Sequence, residues 1–262
     1  MIDNAPGSDS VIMMKNDGTG EAALVSQGGW FEAVQLSLDG KKGVGTVEDM
    51  NGYYQVFYVD LSNLSNLNPV QLTTDLEDHY TPQISPDGSK VIFVKDVSGM
   101  PQAFTVSVNG GAETQIAVPT GVYVNFPTYT PDGNKIVFEE EENDTIDIMN
   151  ADGSGVTVLT NQGGIYFDEF PSVSADGKTI AFSRYPVDDS SGENIFAVNI
   201  DGSNIRQLTT DGLSWDPLFA NDKVVFVSYR DQSYGNQIYA MKPDGTTQTR
   251  LTTTNTDDYF VW

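Results

Sequence analysis

Thr81-Pro82-Gln83-Ile84-Ser85-Pro86-Asp87-Gly88-Ser89-Lys90-Val91-Ile92-Phe93 is the stretch that decides the fold. A Pro opens it, Asp-Gly turns it, and an apolar run ending in Phe closes it. The same phrase returns as Phe126-Pro127-Thr128-Tyr129-Thr130-Pro131-Asp132-Gly133-Asn134-Lys135-Ile136-Val137-Phe138. A third copy runs Phe170-Pro171-Ser172-Val173-Ser174-Ala175-Asp176-Gly177-Lys178-Thr179-Ile180-Ala181-Phe182. Worn copies stand at Leu36-Ser37-Leu38-Asp39-Gly40 and Pro217-Leu218-Phe219-Ala220-Asn221-Asp222. Asp39, Asp87, Asp132, Asp176 and Asp222 lie 48, 45, 44 and 46 residues apart. A period in that range, built from short strands, marks a radial array of small sheets.

One copy, residues 121–162, shows the unit. Val122 to Tyr129 is a first strand, and Pro131-Asp132-Gly133 makes the tight hairpin turn, Gly supplying a positive φ. Lys135-Ile136-Val137-Phe138 is a second strand, apolar as a strand covered on both faces should be. Thr145 to Met149 is a third, Asp152-Gly153 turns the chain again, and Val156 to Leu159 is an outer fourth strand with Thr157 toward solvent. Two turn signals in fixed order per period specify a four-stranded antiparallel meander.

The other repeats follow this plan, their fourth strands closing on near-identical words: Gln71-Leu72-Thr73-Thr74-Asp75 and Gln207-Leu208-Thr209-Thr210-Asp211. Blades are therefore expected over 29–75, 76–120, 121–162, 163–211 and 212–254. The first of these is atypical, with Gly43 and Gly45 in its second strand. At the ends, Val11 to Met14 and Ala22 to Val25 read as third and fourth strands, and Asp257 to Trp262 as a first strand. Together, residues 1–28 and 255–262 would make one split blade joining the termini, which leaves no open sheet edge. The expectation is an all-β, six-bladed propeller of four-stranded antiparallel blades in a single domain over 1–262. The second strand of the split blade is short, which suits a trimmed chain or a piece of a longer protein.

The 262 residues are 39% hydrophobic and 11% aromatic, enough for a packed core and too apolar for disorder. Thirteen Lys and Arg face 37 Asp and Glu, a formal charge of −24. Such a surface excludes nucleic-acid binding, which needs cations to displace counterions from phosphate. It equally disfavours an anionic membrane surface, and no apolar run is long enough to insert into a bilayer. The acidity fits cation binding, a cationic partner, or simply a solvated surface. With no cysteine, disulfides and thiolate metal sites are ruled out.

Ser85-Pro86-Asp87-Gly88, Met149-Asn150-Ala151-Asp152-Gly153 and Ile238-Tyr239-Ala240-Met241-Lys242-Pro243-Asp244-Gly245, with the closing Leu-Thr words, resemble the repeats of the TolB-type branch of the WD-like β-propellers. The resemblance covers nearly the whole chain and implies the propeller fold. It departs from the family's namesake, which carries an additional N-terminal α/β domain. The family shares a scaffold more than a chemistry, so function must be argued from a site.

Catalysis has little to stand on. His79 is the only histidine and no Gly-x-Ser-x-Gly elbow occurs, so no catalytic residue is assigned and no enzyme activity is expected. In a propeller the first strands line the centre, so their polar residues are the candidates. Aligned on Pro82, Pro127, Pro171 and Pro217, with Val34 and Phe260 in register, the residues two earlier are Glu32, Tyr80, Asn125, Glu169, Trp215 and Asp258. Trp30, Glu32, His79, Tyr80, Asn125 and Trp215 are read as ligand-binding residues at the mouth. Glu32, Asn125, Asp168, Glu169 and Asp258 form a candidate calcium set, since calcium takes six to eight oxygens. Plain hydration of the carboxylates and blade-to-blade packing of the aromatics are the competing readings. No other cofactor is called for.

These observations point to a monomeric, non-enzymatic scaffold that binds a protein or peptide, cationic in character, and that is periplasmic or secreted once a signal peptide is removed. The alternative is a carbohydrate-binding or degenerate polysaccharide-lyase-like propeller.

Overall fold

In a computed structural model, residues 2–5, 8–13, 22–25, 31–37, 39–63, 68–188, 190–231, 233, 235–253 and 257–259 are described, with backbone alone for the strands before Gln35 and for Tyr259. Among the described residues all regular elements are strands. The first blade pairs β4 (Phe31–Leu36), β5 (Lys42–Glu48), β6 (Tyr54–Asp60) and β7 (Val70–Gln71) in that order. The second comprises β8 (His79–Ile84), β9 (Lys90–Asp96), β10 (Pro101–Ser107) and β11 (Thr114–Gln115). The third holds β12 (Val124–Tyr129), β13 (Lys135–Glu140), β14 (Thr145–Asn150) and β15 (Thr157–Val158). In the fourth are β16 (Tyr166–Val173), β17 (Thr179–Pro186), β18 (Asn194–Asn199) and β19 (Arg206–Gln207), and in the fifth β20 (Ser214–Ala220), β21 (Lys223–Ser228), β22 (Gln237–Met241) and β23 (Thr249–Arg250).

This is a propeller of five blades, which corrects the expected six. Each of the five runs through four consecutive strands joined by hairpins. The segments expected to complete a sixth do pair: β1 (Ile2–Ala5), β2 (Ser8–Met13), β3 (Ala22–Val25) and β24 (Asp258–Tyr259) form a sheet in the order β24-β1-β2-β3. That terminal sheet is not a blade of the same construction. Two residue pairs, Ile2↔Tyr259 and Asp3↔Asp258, stand where the others have a Pro-to-Asp-Gly hairpin, and its register breaks between β2 and β3.

The Asp-Gly turns close by one repeated device. Ser85 Oγ donates to Asp87 Oδ1 at 2.6 Å, Thr130 Oγ1 to Asp132 at 2.6 Å and Ser174 Oγ to Asp176 at 2.7 Å. The same hydroxyl oxygen accepts the N–H five residues on, from Lys90, Lys135 and Thr179. Gly88, Gly133 and Gly177 follow at φ of 69°, 71° and 70°, a region in which a side chain would be strained. These bonds favour the carboxylate, led by the Ser85 and Thr130 hydroxyls, and hold Asp87 and Asp132 down at about 2.

The closing Leu-Thr word is structural. Thr73, Thr160, Thr209 and Thr252 are buried, and their Oγ1 atoms accept the N–H of Val56, Ile146, Ile195 and Ile238 at 2.9–3.0 Å. The fourth strands are only two residues long, so the hydroxyl satisfies a third-strand donor that a longer ladder would have paired. The second blade has Ala117 at this position.

By compactness the chain divides in two, and each unit is taken by itself. One is drawn from Met1–Gly28, Asn143–Ile148 and Thr157–Phe260, the other from Gly29–Glu142 and Met149–Val156. In the first, Ala181, Ile195, Leu208, Val224, Phe226 and Met241 form the core. In the second there are two clusters, one around Val56, Phe93 and Phe104 and one around Ile92, Ile136, Phe138 and Met149. Among the described residues no helix is long and apolar enough to cross a membrane.

Candidate functional site

Every candidate position taken two residues before a repeat Pro sits at the edge of a β-bulge. In the second blade, Tyr80 pairs Val94 and Gln83 pairs Ile92, so Thr81 and Pro82 together oppose Phe93. In the third, Phe126 and Pro127 oppose Phe138; in the fourth, Phe170 and Pro171 oppose Phe182; in the fifth, Asp216 and Pro217 oppose Phe226. Pro has no N–H to give a ladder, so a bulge is where a strand can hold it without losing a bond. The residue before a Pro is disfavoured in the right-handed helical region. Here it takes the left-handed one: Thr81, Phe126, Phe170 and Asp216 have φ of 47°, 44°, 53° and 50°. For β-branched Thr and bulky Phe this conformation is strained, at a cost of about 1–3 kcal/mol each. The Pro and the Phe that bracket the repeat phrase are thus cross-strand partners, and all four Phe side chains are fully buried.

The predicted mouth residues fare differently. Tyr80 is exposed at 39%, and Asn125 and Trp215 are half-buried. Asn125 Oδ1 accepts the N–H of strained Phe126 at 3.2 Å. Glu32 is the extra residue of a bulge between Phe31 and Ala33, and its side chain lies outside the described residues, as does all of Trp30. His79 is fully buried, its ring 5.2 Å from that of Phe93.

Of the expected calcium ligands, Asp168 is committed elsewhere. Its two oxygens accept from Arg184 Nε and Nη2, both at 2.6 Å, in a buried bidentate pair. The guanidinium also lies over the rings of Tyr166 and Phe196. Removing either charge would leave the other buried and uncompensated. An ion at Asp168 would have to displace Arg184. Asp258 is buried on its two-residue strand, with its N–H donating to the Asn236 carbonyl at 2.8 Å.

Glu169 leads to a feature that sequence spacing does not reveal. Its Oε1 accepts from Tyr185 Oη at 2.8 Å. It shares with Tyr185, Pro186, Val187 and Glu193 a cavity of about 440 Å³. Burial pushes Glu193 up to about 8, the charges of Asp216 and Glu169 adding to the rise and a hydrogen bond with Ser183 opposing it. Glu169 is raised as well, by burial first, against the Tyr185 bond. Both carboxyls of the cavity are therefore harder to ionise than an exposed glutamate, chiefly because they are buried. Sequence spacing singles out Glu169 but neither Glu193 nor Asp216, which come from other parts of the chain.

The described strands define a β-propeller whose strained first-strand bulges in the second to fifth blades each carry a different side chain. Residues 6–210 match the TolB beta propeller domain, and the chain belongs to that family. It is 34% identical over 181 residues, 67% of this chain and 39% of the relative, to a protein TolB homolog of Chlorobium luteolum. It is 28% identical over 140 residues, 48% of this chain and 31% of the relative, to the Tol-Pal system protein TolB of Francisella tularensis. The chain thus spans well under half the length of these curated relatives. The crystal structure of TolB from Acinetobacter baumannii superposes with a TM-score of 0.81 at 20% identity, over 98% of this chain and 63% of that one, which supports the fold.

Proposed function

We propose that the chain is a non-enzymatic protein-binding scaffold of the cell envelope, related in role to the Tol-Pal system proteins it resembles. Its partner presents a cationic segment. The observation that carries this reading is the Glu169–Glu193 cavity, with Asp216, next in sequence to Trp215, close enough for its charge to act on Glu193. A Lys or Arg side chain entering there would meet two ionisable carboxyls and the Tyr185 ring. The charge of −24 would steer such a partner from a distance, an effect that weakens with salt. Export to the periplasm or cell surface follows from the same kinship.

Titration of the chain with a Pal-type lipoprotein from its own genome, read by calorimetry, tests the proposal. Trp215→Ala and Glu169→Gln should each weaken binding about tenfold, the loss expected for an interface anchor. An affinity indifferent to both changes would place the interface elsewhere and sink the reading. A second reading, carbohydrate binding, draws on the same two carboxyls with Tyr185. Saturable uptake of acidic oligosaccharides, abolished by Glu193→Gln, would favour it.

A further inference from the structure

We infer that Asp75, His79 and Glu113 form a binding site for a divalent transition-metal ion of the zinc class. This inference is independent of the partner-binding proposal. The histidine is the key. Its Nδ1 lies 3.0 Å from the carbonyl oxygen of Tyr54, and a carbonyl only accepts, so Nδ1 carries the hydrogen. In the neutral ring the remaining lone pair is then on Nε2. That atom is fully buried and makes no hydrogen bond. It faces two carboxylate oxygens, Asp75 Oδ1 at 3.5 Å and Glu113 Oε1 at 3.4 Å.

A lone pair aimed at two anionic oxygens is repulsive unless a cation lies between them. The separations are too long for good hydrogen bonds, which fall near 2.7–3.0 Å. They match a small tetrahedral ion: bonds of about 2.0–2.1 Å at a tetrahedral angle put ligand atoms about 3.3 Å apart. The three ligand atoms lie within 4.8 Å of one another. A backbone carbonyl on the far ring nitrogen is how a ligating histidine is oriented and its basicity raised. The carboxylates are oriented too. Lys95 Nζ bonds their outer oxygens, Asp75 Oδ2 at 2.7 Å and Glu113 Oε2 at 2.5 Å, and rests 4.7 Å from the centre of the Phe104 ring. Gln55 Nε2 holds the Asp75 and Glu77 carbonyls at 3.0 and 3.2 Å, fixing the loop that supplies Asp75.

The donor set selects the metal. One imidazole and two carboxylates suit zinc and its neighbours, whereas calcium and magnesium prefer all-oxygen shells of six or more. Three protein ligands leave a fourth position for water. Asp75, with a side chain 40% exposed, leaves an entry path.

Zinc titration of the whole chain in excess calcium, which occupies the acidic surface, tests the site. One equivalent should bind and raise Tm. Asp75→Asn and Glu113→Gln should each weaken uptake at least tenfold while leaving the zinc-free circular dichroism spectrum unchanged. Asp75 and Glu113, at 40% and 17% side-chain exposure, are the variants of choice, because replacing fully buried His79 could disturb folding by itself. Two results would overturn the site: no saturable zinc uptake above the calcium background, or uptake equally tight in both variants.

Discussion

The two ends of a first strand contrast sharply. At the Asp-Gly end, the second, third and fourth blades use the same hydroxyl, the same carboxylate and the same left-handed Gly, bonded the same way. At the bulge end the backbone repeats as faithfully, with a left-handed residue before each Pro and a Phe opposite, yet the side chains do not. Tyr80, Asn125, Glu169 and Trp215 precede strained Thr81, Phe126, Phe170 and Asp216. Side chains repeat where they hold the backbone and vary where the backbone is held by Pro and Phe instead. The variable end is therefore the one free to carry recognition.

Breaking the invariant half should have the largest effect. Phe138 is fully buried opposite the Phe126-Pro127 bulge, and Phe138→Ala should lose about 3–5 kcal/mol through the lost transfer energy and the cavity left behind. Urea unfolding would measure it; a loss under about 1 kcal/mol would mean that the bulge does not depend on its aromatic partner.

A smaller effect is expected from the cavity. Glu193 stays protonated in the folded chain up to about pH 8, whereas in the unfolded chain it ionises in the ordinary carboxyl range. Between those limits the folded state binds more protons, so its contribution to stability is complete at low pH and is lost as pH rises through 8. Glu193→Gln, fixed in the neutral form, should raise Tm at pH 8 by a few degrees, about 2–4 °C per kcal/mol for a chain of this size, and change little at pH 4. Equal shifts at both pH values would refute a raised Glu193.

The smallest effect concerns strain alone. Thr81 is β-branched at φ 47°, and its buried Oγ1 makes no hydrogen bond. Thr81→Asn places a residue that tolerates this region and should stabilise by about 1 kcal/mol in the same urea experiment. A destabilised variant would show that the bulge needs the threonine methyl more than it suffers from the strain.

Much of this was legible in the sequence, for local reasons. Asp-Gly demands a turn and an apolar run a buried strand wherever they occur, so the five repeats that form blades could be picked out along the chain. Pro positions gave the correct alignment of Tyr80, Asn125, Glu169 and Trp215, though not its cause, because a bulge is a property of two strands. Thr73, Thr160, Thr209 and Thr252 were legible only as part of a repeated closing word; their burial follows from fourth strands too short to continue the ladder. The sixth blade failed because strand words at two chain ends do not make a hairpin. His79 reads from sequence as a mouth residue, and its neighbours Tyr54 and Glu113 lie 25 and 34 residues away in sequence. Glu193 was hidden for the same reason.

The two-residue outer strands have a bearing on behaviour at high concentration. A β-rich chain is endangered by long, flat, unpaired edges onto which another molecule can add a strand. Here each blade offers a passing molecule two residues of ladder, as at Thr157–Val158, before the chain turns away. Amyloid-like stacking needs segments of about six residues, so these fourth strands of the five blades are too short to start it, and the mutual repulsion of strongly acidic molecules works in the same direction.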